Sequence, residues 1–359
     1  MPIFMDLHRG SDFKVPPTLD DIMHLHAADV AVQQRLGVKI FQYWINEQAG
    51  LVFCLMEGPD RETCLAVHRE SHGNLPCNII ELNGSEYMTF MGDEFKANKF
   101  DIVERIDGTL DTGYRIIMAT DLISMTEDDS FRKTIDDIIK NWGGRYVNRP
   151  GSRELIVFTV GQSAIDCALD IIRSAQNLPD NTNELRIGIS AGEPVTARQQ
   201  DIFADAIRLA NHLCDIAEKN QVVISSLTKE LTRQPELHRI KQKDSLKILS
   251  LEEEQFLDLL VENISSLLSE TSLNIEGLSK SMGMSRSKLY RKITELTGQS
   301  ANSLIRELRM QKALKLIRNK YGNVTQVSLE VGIANASFFA KSFQNRFGLS
   351  PSTALKMYS

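Results

Sequence analysis

Along the first 82 residues the apolar positions alternate, then recur every third or fourth residue, then alternate again. The pattern predicts strand Ile3–His8, a helix from the Thr18 cap to about Leu36, and strands Lys39–Ile45 and Leu51–Glu57 joined by a turn at Asn46–Gly50. It then predicts a helix from Pro59 to about His72 stopped by Gly73, and strand Cys77–Leu82. That order is the α+β, ferredoxin-like split βαβ unit. Asn83 to Asn98 is polar and holds two glycines, which predicts a connection.

A second alternation follows. Strand Tyr114–Leu122, helix Asp129–Trp142, strands Arg145–Asn148 and Glu154–Thr159, helix Ser163–Gln176, strand Leu185–Ser190, helix Ile202–Lys219 and strand Gln221–Ser225 predict an α/β module with a helix-layered sheet. After Lys243 the periodicity becomes purely helical. The expected organisation is multidomain, with an α+β unit over residues 1–90, an α/β unit over 100–240 and an all-α unit over 252–359.

Within the last unit, two helical stretches end at Gly283 and Gly332, each followed by a capping residue, Ser285 or Asn335, and a new helix. This is the helix-turn-helix pattern, twice. Charge supports it: residues 271–359 carry 14 Lys and Arg against 4 Asp and Glu, so the formal net charge of -6 divides into +10 there and -16 in the remainder. Only the C-terminal part suits a polyphosphate surface. Five scattered cysteines without CxxC spacing read as reduced thiols. No apolar run approaches membrane-spanning length and no leader pattern precedes Asp6, so a cytoplasmic location without membrane contact is expected.

The run Ile305-Arg306-Glu307-Leu308-Arg309, with Lys312-Ala313, Val331-Gly332-Ile333, Phe338-Phe339, Phe343 and Phe347-Gly348-Leu349-Ser350-Pro351, resembles the AraC/XylS family of transcriptional regulators over residues 252–359. Helical spacing turns Leu289, Ile293, Phe339 and Phe343 inward. It leaves Arg286, Ser287, Tyr290, Arg291, Asn335, Ala336, Ser337 and Lys341 outward. The resemblance implies base contacts from Ser287, Tyr290, Arg291, Ser337 and Lys341, and phosphate contacts from Lys288, Lys292 and Gln344. Its implied partner is double-stranded promoter or operator DNA, with a second copy of the chain and RNA polymerase as further candidates. Ile333 stands where the family usually has Phe.

Ile117-Met118-Ala119-Thr120-Asp121-Leu122, Gly143-Gly144-Arg145-Tyr146-Val147, Leu185-Arg186-Ile187-Gly188-Ile189 and Asp205-Ala206-Ile207-Arg208 resemble the class III nucleotidyl cyclase homology domain. The resemblance implies two metal-binding carboxylates. Asp121 supplies the first, but the chain reads Gly151-Ser152-Arg153 where the second is due, and Arg208 and His212 replace the transition-state Asn and Arg. The expectation is therefore no enzyme; a cyclase or a nucleotide-binding sensor fused to a DNA-binding domain is the alternative.

Five of the seven histidines lie in the first 72 residues. His68 and His72 share a helix face and Asp6 and His8 share a strand face, a donor set suited to nickel or another late first-row divalent ion. Phe4-Met5-Asp6-Leu7-His8, Tyr43-Trp44-Ile45 and Val67-His68-Arg69-Glu70-Ser71-His72-Gly73 resemble small ferredoxin-like proteins in which nickel binding has been described. Spacing selects His8, Glu57, His68 and His72 as metal ligands. His24 and His26 read as helix-surface residues, and a sheet-to-sheet dimer is expected to put such a site between subunits. Walker and H-E-x-x-H patterns are absent.

Overall fold

The computed structural model describes residues 1–12, 17–92, 96–123, 129–149, 153–177, 184–232 and 245–358. Met1–Leu122, Asp128–Cys214 and Lys219–Ile248 make one compact unit, and a second is built mainly on Leu249–Ser359.

The first unit opens with β1 (Ile3–Arg9), α1 (Leu19–Leu36), β2 (Lys39–Asn46), β3 (Leu51–Glu57), α2 (Arg61–Ser71) and β4 (Asn78–Leu82), in the sheet order β2-β3-β1-β4. This is the ferredoxin-like arrangement expected from the periodicity. α1 starts at a Thr18–Asp21 capping box and stops at Gly37, whose φ of 67° an L side chain rarely adopts. Alternation sorts the strands into two faces. Phe4, Val52, Cys54, Met56, Tyr43 and Ile45 face α1 and α2, while Met5, Leu7, Trp44, Phe53 and Leu55 face the other way.

The chain continues with α3 (Gly84–Met91), β5 (Lys96–Ala97), β6 (Val103–Glu104), β7 (Arg115–Ile123), α4 (Asp129–Asn141), β8 (Arg145–Val147), β9 (Glu154–Phe158), α5 (Gly161–Gln176), β10 (Glu184–Gly192), α6 (Ala204–Ile216), β11 (Gln221–Ile224), α7 (Ser226–Glu230) and β12 (Leu246–Ile248). A six-stranded sheet, ordered β12-β11-β10-β7-β9-β8, packs one face on α4 and α5. Its other face, with α6, shares a core with the open face of the first sheet: Met5, Leu7, Trp44, Phe53 and Leu55 meet Ile117, Val157, Phe203 and Ala206. Gly188 on β10 lets α6 approach, since a Cβ there would lie 2.1 Å from the Ala210 carbonyl oxygen.

Three expectations change. The Asn83–Asn98 connection holds α3, which buries Tyr87, Phe90 and Met91. The stretch after Lys243 is not purely helical, because Leu246–Ile248 adds a parallel strand beside β11. The sheet face expected to pair with a second copy is already covered by the chain's own middle module, which closes that dimer route.

The joint is fixed by charge as well as by packing. Arg115, fully buried at the start of β7, donates to Asp111 Oδ1 and Oδ2 at 3.1 and 2.8 Å and to the carbonyls of Phe90 and Met91. Asp111 also accepts the Trp44 indole N–H at 3.1 Å, so a buried acid joins β2 to the base of β7.

The second unit contains α8 (Leu251–Leu267), α9 (Ile275–Ser281), α10 (Arg286–Thr297), α11 (Ala301–Arg318), α12 (Val324–Glu330), α13 (Ala336–Phe347) and α14 (Pro351–Met357). Each helix begins at a Ser or Asn cap. Gly283 and Gly332 make the turns of α9–α10 and α12–α13 with φ of 62° and 73°. Ile333 is buried there, so the departure from Phe leaves the turn packed. Among the described residues no helix is long and apolar enough to cross a membrane.

Candidate functional site

The helix-covered face of the first sheet carries a polar group inside an apolar layer. Asp6 and His8 project from β1, His68 and His72 stand at the C-terminal end of α2, and Asp29 and His26 descend from α1. Asp6, His8, His26, Asp29 and His68 are all buried. His68 lies between the two acids. Its Nε2 is 2.8 Å from Asp6 Oδ2 and its Nδ1 is 3.1 Å from Asp29 Oδ2, the latter close enough for charge attraction but not aligned as a hydrogen bond. His8 Nε2 stands 3.6 Å from Asp6 Oδ2, and His72 Nε2 3.2 Å from Asp29 Oδ1.

Burial opposes charge on Asp6, Asp29 and His68, yet the pairing outweighs it. Hydrogen bonds and charges from His8 and His68 hold the Asp6 carboxyl well below the usual range. His68 and His72 do the same for Asp29, again against burial. Burial alone would lower His68, but the two carboxylates raise it to about 10. The metal-free cluster is thus an imidazolium clasped by two carboxylates. Burial pushes the Cys54 thiol well up, so it does not supply a thiolate.

A cavity of about 30 Å³ opens beside the cluster, lined by His8, His26, Asp29, Tyr43, Cys54 and His72 among others. It is large enough for one or two waters or a small ion. The Tyr43 hydroxyl is buried beside it without a hydrogen-bond partner. Two donor groups, Asp6 with His8 and His68, and Asp29 with His68 and His72, each bring three ligand atoms within 4.8 Å of one another. Imidazole with carboxylate fits a late first-row divalent ion, so these residues suit the metal suggested by the sequence.

Glu57 is a correction. It pairs with Ile3 at the far end of the β1–β3 ladder, five positions from the His8–Val52 pair and so about 17 Å away, and holds the Met1 amine at 2.9 Å. His26 is a second correction, being buried, tilted against Tyr43 at 4.3 Å between ring centroids and 3.2 Å from Asp101 Oδ2. Asp29 was missed. Its signal was present, because Ile22, His26 and Asp29 fall on one stripe of α1.

In the second unit α10 and α13 are matched helices. Each has 12 residues, capped by Ser285 or Asn335 and closed by Gly298 or Gly348 in the left-handed region. Arg286, Ser287, Lys288, Tyr290 and Arg291 are exposed, as are Asn335, Ser337, Lys341 and Gln344, with Ala336 half-buried. Two expected DNA-facing residues have other work. Lys292 is half-buried, bonded to Glu252 at 2.9 Å and set over the Phe256 ring. The Asn335 side-chain Oδ1 accepts the Phe338 N–H as the helix cap. The family-like Glu307, Arg309 and Lys312 are structural. Arg346 forks onto Glu307, Arg309 bonds the carbonyls of Leu268 and Glu270, and Lys312 pairs with Glu330.

In the middle module, Arg153 Nη2 lies 3.4 Å from Asp121 Oδ2 and Nη1 donates to the Asn211 carbonyl at 3.0 Å. Arg208 pairs with Asp205 and His212 is buried. Gly151 and Ser152 lie outside the described residues.

A family model described as a helix-turn-helix domain matches residues 278–357, and one described as nickel responsive protein SCO4226-like matches residues 4–82. The chain ends in an AraC-type helix-turn-helix domain. The chain is 33% identical over 82 residues to the Msm operon regulatory protein of Streptococcus mutans, covering 23% of the chain and 30% of that protein. It is 31% identical over 106 residues to an adenylate cyclase of Streptomyces coelicolor, covering 29% of the chain and 27% of that protein. The crystal structure of SCO4226 from Streptomyces coelicolor is 36% identical over 22% of the chain and 94% of its own length, with a TM-score of 0.20. The chain spans less than a third of either curated relative.

Proposed function

We propose that the protein is a sequence-specific, DNA-binding transcriptional regulator whose N-terminal module senses a divalent metal, with nickel the first choice. The observation that carries the DNA-binding part is the matched pair of capped helices, α10 and α13, exposing Arg286, Arg291, Ser337 and Lys341 on a segment of charge +10. Helix N-terminal residues of that kind read base edges in the major groove, and Arg291 matches the O6/N7 edge of guanine. One chain already holds two recognition helices, so the DNA contact does not itself demand a dimer.

For the metal, Asp6, His8, Asp29, His68 and His72 are the ligand candidates, and Glu57 is withdrawn. A bound ion would tie β1 to α1 and α2. His68 must lose its extra proton to ligate, and the carboxylates that hold that proton then neutralise the ion's charge.

The middle module is proposed to be a non-catalytic connector. The support is Arg153, whose guanidinium stands against Asp121 where a cyclase needs a cation.

DNA titrations of the full chain against genomic fragments, with and without nickel, test the reading. Specific complexes weakened in Arg291→Ala and Lys341→Ala are expected; equal affinity for all fragments would overturn it. Cyclic nucleotide formed from ATP or GTP with Mn²⁺ would overturn the connector assignment.

A further inference from the structure

Phe338 and Phe339 are neighbours on α13 with opposite fates. Phe339 is fully buried against Phe343, whereas Phe338 is 57% exposed. Among the described residues Phe338 takes part in none of the ring contacts. It stands three residues inside the Asn335 cap, one position from Ser337 and three from Lys341. Counted from the Ser285 cap, the same position of α10 is Lys288, also exposed. A lysine there suits water or phosphate, but a phenylalanine leaves apolar surface that the described residues do not cover.

The first turn of a recognition helix meets base edges, and the apolar feature of the major-groove edge is the 5-methyl group of thymine. We infer that Phe338 is a specificity-determining residue that covers a thymine methyl in the half-site read by α13. The inference rests on the DNA-binding reading above and adds to it a base preference at one position. It also predicts an asymmetry between the half-sites, since Lys288 has no such affinity for a methyl.

The test begins with duplexes selected in vitro by the full chain. Each thymine is then replaced singly by deoxyuridine, which removes only the methyl, and wild type and Phe338→Ala are titrated. At one position in the α13 half-site, wild type should lose about fourfold in affinity, the scale of one buried methyl group. Phe338→Ala should bind thymine and deoxyuridine there equally, and Phe338→Leu should keep part of the discrimination. Unchanged circular dichroism and unchanged affinity for random-sequence DNA show that the variants fold. Absence of a methyl-sensitive position, or equal sensitivity in wild type and Phe338→Ala, overturns the inference while leaving the regulator reading intact. Selection that enriches no sequence overturns both.

Discussion

His68 Nε2 stands 2.8 Å from Asp6 Oδ2, with both side chains all but removed from water. The pair joins α2 to the central strand β1, and Asp29 holds the other side of the same ring. The signs of the shifts fix a pH window. His68 is raised from the ordinary imidazole range to about 10, so its stabilisation is full below about pH 6.5 and is lost as pH rises through about 10. Asp6 and Asp29 are lowered, so theirs is present above about pH 4 and lost in acid. Denaturant unfolding of the metal-free first unit should therefore weaken steadily from pH 7 to 10, and His68→Gln should flatten that slope. A wild-type profile flat over this range would contradict the clasped imidazolium.

Nickel must displace the same proton. Its apparent affinity, read by isothermal titration calorimetry, should rise about tenfold per pH unit below pH 10 if one proton leaves per ion bound. Calorimetry in buffers of different ionisation enthalpy counts that proton directly. An affinity that ignores pH would remove His68 from the ligand set.

Ligand choice can be separated from charge. His8→Ala and Asp29→Ala are each expected to lower nickel affinity by about ten- to a hundredfold, the scale seen when a metal site loses a supporting group. Glu57→Gln should bind nickel as wild type does, because Glu57 serves the Met1 amine. Loss of binding in Glu57→Gln would restore the assignment withdrawn above.

The joint between the two sheets is a stability element. Asp111→Ala strands the fully buried Arg115 without its carboxylate and leaves the Trp44 indole N–H unpaired. Removal of one partner from a buried ion pair costs about 3–5 kcal/mol. Thermal unfolding followed by the fluorescence of Trp44, one of only two tryptophans, should move to distinctly lower temperature. A change under about 1 kcal/mol would mean that water reaches Arg115.

Periodicity made the main elements legible because each has enough residues to display a period. α1 runs for 18 residues and α11 for 18, and the Thr18 cap of α1 was readable. β12 has only three, too few to separate a strand from the start of a helix. The histidines of the cluster were visible as types at spacings. Asp29 and His26 share a stripe of α1 with Ile22, but a polar residue on a helix reads as solvent-facing until its buried partners, here His68 and Tyr43, are known. Glu57 failed on both counts: alternation puts it with Phe53 and Leu55 on the face opposite Asp6 and His8, and the register puts it at the far end of the ladder. Lys292 was implied as a phosphate contact by the family resemblance, and only packing revealed Glu252 and Phe256 as its neighbours.

β1 serves two audiences with alternate residues. Asp6 belongs to the charged cluster beneath the helices, while Met5 and Leu7, its immediate neighbours, belong to the core shared with the middle module. A shift of this strand by a fraction of an ångström is felt on both sides at once, because close-packed interiors transmit strain rather than absorb it. The distance from the proposed metal ligand to the proposed connector is therefore a single peptide unit, and a signal passed along it would require neither hinge nor lever.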